Sequence, residues 1–276
     1  MFQRAITTGA LMASISVGSS AVADTAQAEA LFEALALPDI IEIMREEGIE
    51  YGAQIGTDLF PSQVGSAWSA AVETIYDAEK MHSSVKAAFI ASLEGDDVEA
   101  MTAFFTSDLG RDFVELEVSA RRALLDDAVN DASKELAAIA EADKTPRFKL
   151  VETFVQTNDL IETNVVGALN SNFAFYKGLM EGGAFDEVLT EEQILSDVWD
   201  QEPDIRANTS EWIYSFLLLA YDPASDADLT AYTDFSRSDA GKQLNASLFD
   251  AFDDYFDEIS NKLGFEAARM MTGAEL

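Results

Sequence analysis

The chain contains no cysteine and one histidine, and only 17 Lys and Arg stand against 51 Asp and Glu in 276 residues. Lack of cysteine excludes disulfides, thiolate zinc sites, iron–sulfur clusters, cysteine nucleophiles and a lipoprotein anchor. The lone His82 excludes any multi-histidine metal site. A formal net charge of −34 argues against nucleic acid and anionic membrane as partners, because both are held by a basic face. Phosphate loops, dinucleotide fingerprints and G-x-S-x-G elbows are also missing. Proline and glycine are scarce, at 5 and 15 residues, and 48% of the chain is hydrophobic, so a packed core is expected despite the charge. Beyond the N-terminal segment, the longest apolar run is Trp212 to Tyr221, broken by Ser215; it suits a buried helix and is too short for a membrane span.

What is present begins with a leader pattern. Arg4 provides a positive start, Ala5 to Gly18 is modestly apolar, and Ala21-Val22-Ala23 fits the A-x-A cleavage rule. Cleavage after Ala23 is expected, leaving Asp24 as the new N-terminus of a periplasmic or secreted protein. No twin arginine precedes the apolar stretch.

From there on, nearly every segment repeats its apolar residues at helical spacing. The pattern predicts helices from Pro38 to Phe60, from Ser66 to Tyr76, from Asp77 to a stop at Gly95, and from an Asp96 cap to Thr106. One rod is expected from Asp108 to Ala142, about 50 Å long, with Leu109, Phe113, Leu116, Ala120, Leu124, Ala128, Leu136 and Ile139 along its apolar face. Lys144-Thr145-Pro146 ends it. Pro146 to Gln156 and a helix ending at Glu181 follow, broken by Gly182-Gly183. Thr190 and Gln193 form a capping box, Pro203 kinks or restarts the next helix, and Ser225 with Asp228 resembles a second box. The last helix is expected from Asp239 to Thr272.

Two stretches share a wording. Val98 to Arg111 reads VEAMTAFFTSDLGR, and 131 positions later Leu229 to Lys242 reads LTAYTDFSRSDAGK. They agree at Ala, Thr, Phe, Ser, Asp and Gly, six positions where chance gives about one. Trp68 and Trp199 fall at the same offset, and Gly48-x-x-x-Gly52 pairs with Gly178-x-x-x-Gly182 one residue short of it. The expected fold is therefore all-α. It comprises two tandem helical repeats of about 100 residues each, with long amphipathic helices, arranged as a helical array or pseudo-symmetric bundle. After a signal peptide at 1–23, the units are 24–143 and 144–276, forming one compact domain. In each S-D-x-G-[R/K] motif, Ser107 or Ser238 is placed to cap a helix, and Asp108 or Asp239 sits at its positive end. Gly110 and Gly241 allow close packing, Phe104 and Phe235 point inward, and Arg111 and Lys242 close the motif. These residues read as a helix corner and not as a ligand site.

Carried on Phe104, Ser107, Gly110 and Arg111, and again on Phe235, Ser238, Gly241 and Lys242, the pattern resembles the bacterial domain of unknown function 2059 family. Members of that family typically have Ser-Pro-x-Gly followed by Gln or Lys; here Asp108 and Asp239 replace the proline. Gly178–Ala184 and Glu211–Tyr221 resemble alphaproteobacterial members. The resemblance implies a secreted or periplasmic all-α protein and supplies no activity, cofactor or catalytic residue.

Chemistry is hard to assign from the residues. Glu79-x-x-His82 has the spacing of a di-iron ligand pair, but a second such pair needs a second histidine. Ser83 and Ser84 sit on a helix and make no nucleophile elbow. Asp222, Asp226 and Asp228 fail the calcium-loop pattern because Ala227 stands where glycine is required. Asp253, Asp254 and Asp257 read as solvated acids beside inward Phe252, Tyr255 and Phe256. No catalytic, cofactor or metal residue is assigned. The expected function is a non-enzymatic protein- or peptide-interaction module of the cell envelope, whose partner is a periplasmic or envelope protein. Its alternatives are a small-molecule or Ca²⁺ binder and a carboxylate-based hydrolase, the last requiring a concave pocket that holds an acid with raised pKa. Trp68, Trp199 and Trp212 are candidates to line a groove, with core packing favoured for each.

Overall fold

The computed structural model describes residues 17–60, 65–93, 97–185 and 190–273, with side chains from residue 25 onward. Most of the expected leader, including residues 1–16, and the expected stop at Gly95 and cap at Asp96 lie outside the described residues. Among the described residues the chain is all-α. Its helices are α1 (Val17–Ala34), α2 (Leu37–Leu59), α3 (Ser66–Ile75), α4 (Ala78–Ser92), α5 (Val98–Phe105), α6 (Asp108–Ala123), α7 (Asp127–Ala142), α8 (Pro146–Thr157), α9 (Leu160–Glu181), α10 (Glu191–Trp199), α11 (Glu202–Tyr221), α12 (Asp226–Arg237) and α13 (Asp239–Met271). None is long and apolar enough to cross a membrane.

Capping chemistry sets most of these boundaries. Asp77 accepts from the backbone N–H of Lys80, and Thr145 accepts from that of Phe148. The box at Thr190 is complete: Thr190 accepts from the Gln193 N–H, and Gln193 accepts from the Thr190 N–H. Pro203 restarts the chain as α11 rather than kinking a longer helix. At Ser225 the hydroxyl accepts from the Asp228 N–H and donates to its carboxylate at 2.6 Å. α5 is capped by Asp97, which accepts from Ala100.

The expected rod from Asp108 to Ala142 is two helices. Asp126 turns its carboxylate onto the N–H groups of Ala128 and Val129 and starts α7 afresh. That turn resets the helical phase. Leu136 and Ile139, which an unbroken helix would carry inward, are 65% and 51% exposed, and α7 turns Ser133 and Ala137 inward instead.

α13 is the axis of the molecule. Its 33 residues span about 50 Å and pack along α9 and α12 in one half, and against α2, α3, α4 and α5 in the other. One hydrophobic core accordingly runs from Ala28 to Ala268 through both halves. A smaller cluster of Val165, Leu169, Ile194 and Val198 seats α10 on α9. Parallel α9 and α13 touch backbone to backbone. A Cβ at Gly178 would lie 2.0 Å from the Asn261 carbonyl oxygen, and one at Gly264 would lie 2.0 Å from that of Phe175. In α2, by contrast, Gly48, Gly52 and Gly56 receive the side chains of Tyr76, Val72 and Trp68 from antiparallel α3, and the Trp68 indole donates to the Gly52 carbonyl at 2.7 Å. The two G-x-x-x-G pairs thus serve different contacts. The two tryptophans at matching offset also part company, since Trp68 is wholly buried and Trp199 is 67% exposed.

Because the atoms facing Gly264 are main chain, they cannot swing aside. Gly264→Ala is expected to lower unfolding free energy by about 2–3 kcal/mol, measured by urea denaturation.

Candidate functional site

The two shared motifs occupy equivalent corners. Ser107 accepts from the Gly110 N–H and Ser238 accepts from the Gly241 N–H, each at 3.1 Å. Each serine also donates to the carbonyl three residues back, Phe104 or Phe235. A Cβ at Gly110 or Gly241 would strike that same carbonyl, at 2.2 and 2.3 Å. Asp108 and Asp239 lie in the first turn of the helix that follows, where the backbone dipole favours a negative charge. Arg111 bonds the Thr106 carbonyl and pairs with Asp108, while Lys242 is exposed. The corners meet each other. Phe104 stacks on Phe235 with ring centroids 3.9 Å apart and planes 9° off parallel. These residues cap helices and pack, and the two corners bring together one wall of a cavity.

That cavity, of about 370 Å³, lies where the halves meet. Its walls are mostly apolar: Met44 from α2, Phe105 from α5, Phe154 from α8, Trp212 and Leu217 from α11, and Leu244, Leu248, Phe252 and Phe256 from α13. Backbone strain borders it twice. Ala36 and Asp159, between α1 and α2 and between α8 and α9, adopt left-handed conformations with φ of 49° and 51°. Leu35 and Leu37 on one side, and Asn158 and Leu160 on the other, are thereby aimed into the wall. Asn158, Asn164 and Asn245 line the cavity as well, but each commits its amide N–H to a neighbouring main-chain carbonyl.

Among the described residues, three charged ones line the space. Glu117 projects from α6, and the Tyr221 hydroxyl donates to it at 2.6 Å. The Tyr232 hydroxyl faces the same carboxyl and favours its charged form. Around them Phe113 and Phe154 pack on both tyrosines, with ring centroids between 4.6 and 5.5 Å apart. Burial lifts Glu117 to about 7, against the lowering effect of the two tyrosine hydrogen bonds. Burial and the Glu117 charge in turn push both tyrosines well above their ordinary value. Asp253, on α13, sits against Gly167 of α9 and is raised to about 6 by burial and then by Asp257, Asp250 and Asp254. Asp257, bonded by Ser171 at 3.0 Å, is also raised by burial. Of that acidic trio, then, only Asp254 is the exposed acid expected of all three. The third charge is Arg121, whose Nε and Nη2 grip the Glu47 carboxylate at 3.1 and 2.7 Å, with its guanidinium over Trp212.

Sequence reasoning passed over Glu117, Tyr221, Tyr232 and Arg121. A signal is there: four residues past inward Phe113 comes Glu117, on the same helix face as Leu116. His82 is a half-buried residue set edge-on to Phe32. Asp226 pairs with Arg147 at 3.0 Å, and the Asp228 carboxylate accepts from the Ser225 hydroxyl that caps α12. Among the described residues no three of His, Asp and Glu gather closely enough to hold a metal ion.

Residues 79–138, which run from α4 through most of α7 and contain the first corner motif, match the model of a bacterial family described as an uncharacterized protein conserved in bacteria (DUF2059). The second corner lies outside the matched stretch. No curated protein and no solved structure matches the chain.

The Glu117 environment makes stability depend on pH in a set direction. Its carboxyl holds a proton more tightly folded than unfolded, so its contribution is complete below the unfolded value of 4.5 and is lost as pH rises through about 7. The gap corresponds to about 3 kcal/mol. Glu117→Gln should therefore gain on the parent protein by up to about that amount between pH 5 and pH 8, read from paired urea denaturation curves.

Proposed function

We propose that this protein binds an apolar small molecule in the cavity between its halves, and that it does so in the bacterial cell envelope. The observation that carries the reading is a cavity of about 370 Å³ walled by aromatic and aliphatic side chains, with a few polar groups at fixed places. That is the composition of small-molecule sites, in which apolar walls provide affinity and sparse polar groups provide orientation. Acid-catalysed hydrolysis has one of its requirements here, a carboxyl raised to about 7. Walls of Phe, Leu and Trp favour retaining an apolar molecule over handling a hydrated sugar or peptide bond.

The envelope location rests on the leader pattern ending at Ala23. The side chains by which α1 joins the core, Ala28, Leu31 and Phe32, all follow that point, so cleavage there leaves the packed part of the helix in the chain. A protein-interaction module is the second reading. It is favoured by exposed apolar pairs at helical spacing, Leu136 with Ile139 on α7 and Leu195 with Trp199 on α10.

Binding is tested with N-phenyl-1-naphthylamine, a neutral apolar dye that brightens out of water. One saturable site is expected, with a change in intrinsic fluorescence that Trp212→Phe removes. Filling the cavity with Leu248→Trp should weaken dye binding at least tenfold while the protein remains cooperatively folded. Unsaturable dye binding, or equal binding by Leu248→Trp, would exclude the cavity as the site. For the location, mass spectrometry of protein from a periplasmic extract should find a chain beginning at Asp24; an intact Met1 form confined to the cytoplasm would overturn it.

A further inference from the structure

We infer that the natural ligand of the cavity is an apolar cation, an amine or quaternary ammonium carried on an alkyl or aromatic body. This rests on the reading of the cavity as a small-molecule site and specifies its ligand. Among the described residues, Glu117, Asp253 and Arg121 are the charged ones that line the space. Arg121 is already neutralised, held in two hydrogen bonds by Glu47 and laid over Trp212. The two acids are not. Glu117 is met by hydroxyl groups, Tyr221 donating to Oε1 and Tyr232 beside it, which favour its charged form without balancing its charge. Asp253 is surrounded by Asp250, Asp254 and Asp257.

An ionised carboxylate in apolar surroundings without a counter-charge is costly, and an ammonium group delivered by a ligand removes that cost while adding a charge-assisted hydrogen bond. The walls suit the same chemistry. Phe105, Phe154, Tyr221 and Tyr232 bring aromatic rings to the wall beside Glu117, and the quadrupole of an aromatic ring attracts a cation that reaches its face. A carboxylate or sulfate ligand would meet two like charges instead, after approaching a molecule of net charge −34.

The test is competition against bound N-phenyl-1-naphthylamine by three compounds sharing one chain: octylamine, octanol and octanoate, at pH 8. Octylammonium should displace the dye at a concentration at least tenfold below octanol, and octanoate should need at least tenfold more than octanol. The preference for amine over alcohol should persist at 0.5 M salt, where the long-range field is screened. Glu117→Gln should reduce that preference to within threefold. Asp253→Asn provides a second, independent reduction should the first variant fold poorly. Octanoate competing best, or an amine preference untouched by both variants, would refute the cationic ligand while leaving the cavity site standing. Failure of the dye to bind the cavity at all would refute the cavity reading itself.

Discussion

The contact between α9 and α13 is the constraint on which the rest of the molecule depends. Helices meet backbone to backbone only where side chains are missing, and Gly178 and Gly264 supply the gaps from opposite sides. With α13 pinned there, its other faces are free to organise α12 in its own half and α3, α4 and α5 in the other. Ser92 and Ser247 then tie α4 to α13 by a reciprocal pair of hydroxyl-to-carbonyl hydrogen bonds. A single core through both halves follows from one long helix being shared by both.

The cavity follows from the same arrangement. α13 gives it Leu244, Leu248, Phe252 and Phe256 from its N-terminal half, upstream of the glycine contact. Across from them α6 presents Glu117, placed on the buried face by the helix period and tolerated there by Tyr221 and Tyr232. A carboxyl at that position is costly to the fold as pH rises, and the two tyrosines offset only part of the cost. Structural need alone would favour Gln or Leu at that point, so the acid is the residue in this wall whose presence asks most for a functional reason.

The sequence made the fold class and most helix ends legible because capping is a local interaction. Asp77, Thr145, Thr190 and Ser225 bond groups three residues away, and each sits where its type predicts. The break at Asp126 was missed because a turn of three residues leaves an apolar stripe that still reads as continuous. Glu117 was missed for a different reason. Its environment is assembled from α11 and α12, about a hundred positions downstream in the chain, and in a sequence with 51 acids no single carboxylate stands out. Asp253 likewise needed the approach of Gly167 to become half-buried.

The stacking of Phe104 on Phe235 has a consequence for how this sequence can change. A contact between two counterpart residues is self-complementary: whatever shape one corner presents, the other must accept the same shape. A larger or smaller ring on one side spoils the fit unless the other side changes with it. The two corners therefore cannot change independently, whereas Trp68 and Trp199, at the same offset, have no such tie, one lying in the core and the other at the surface.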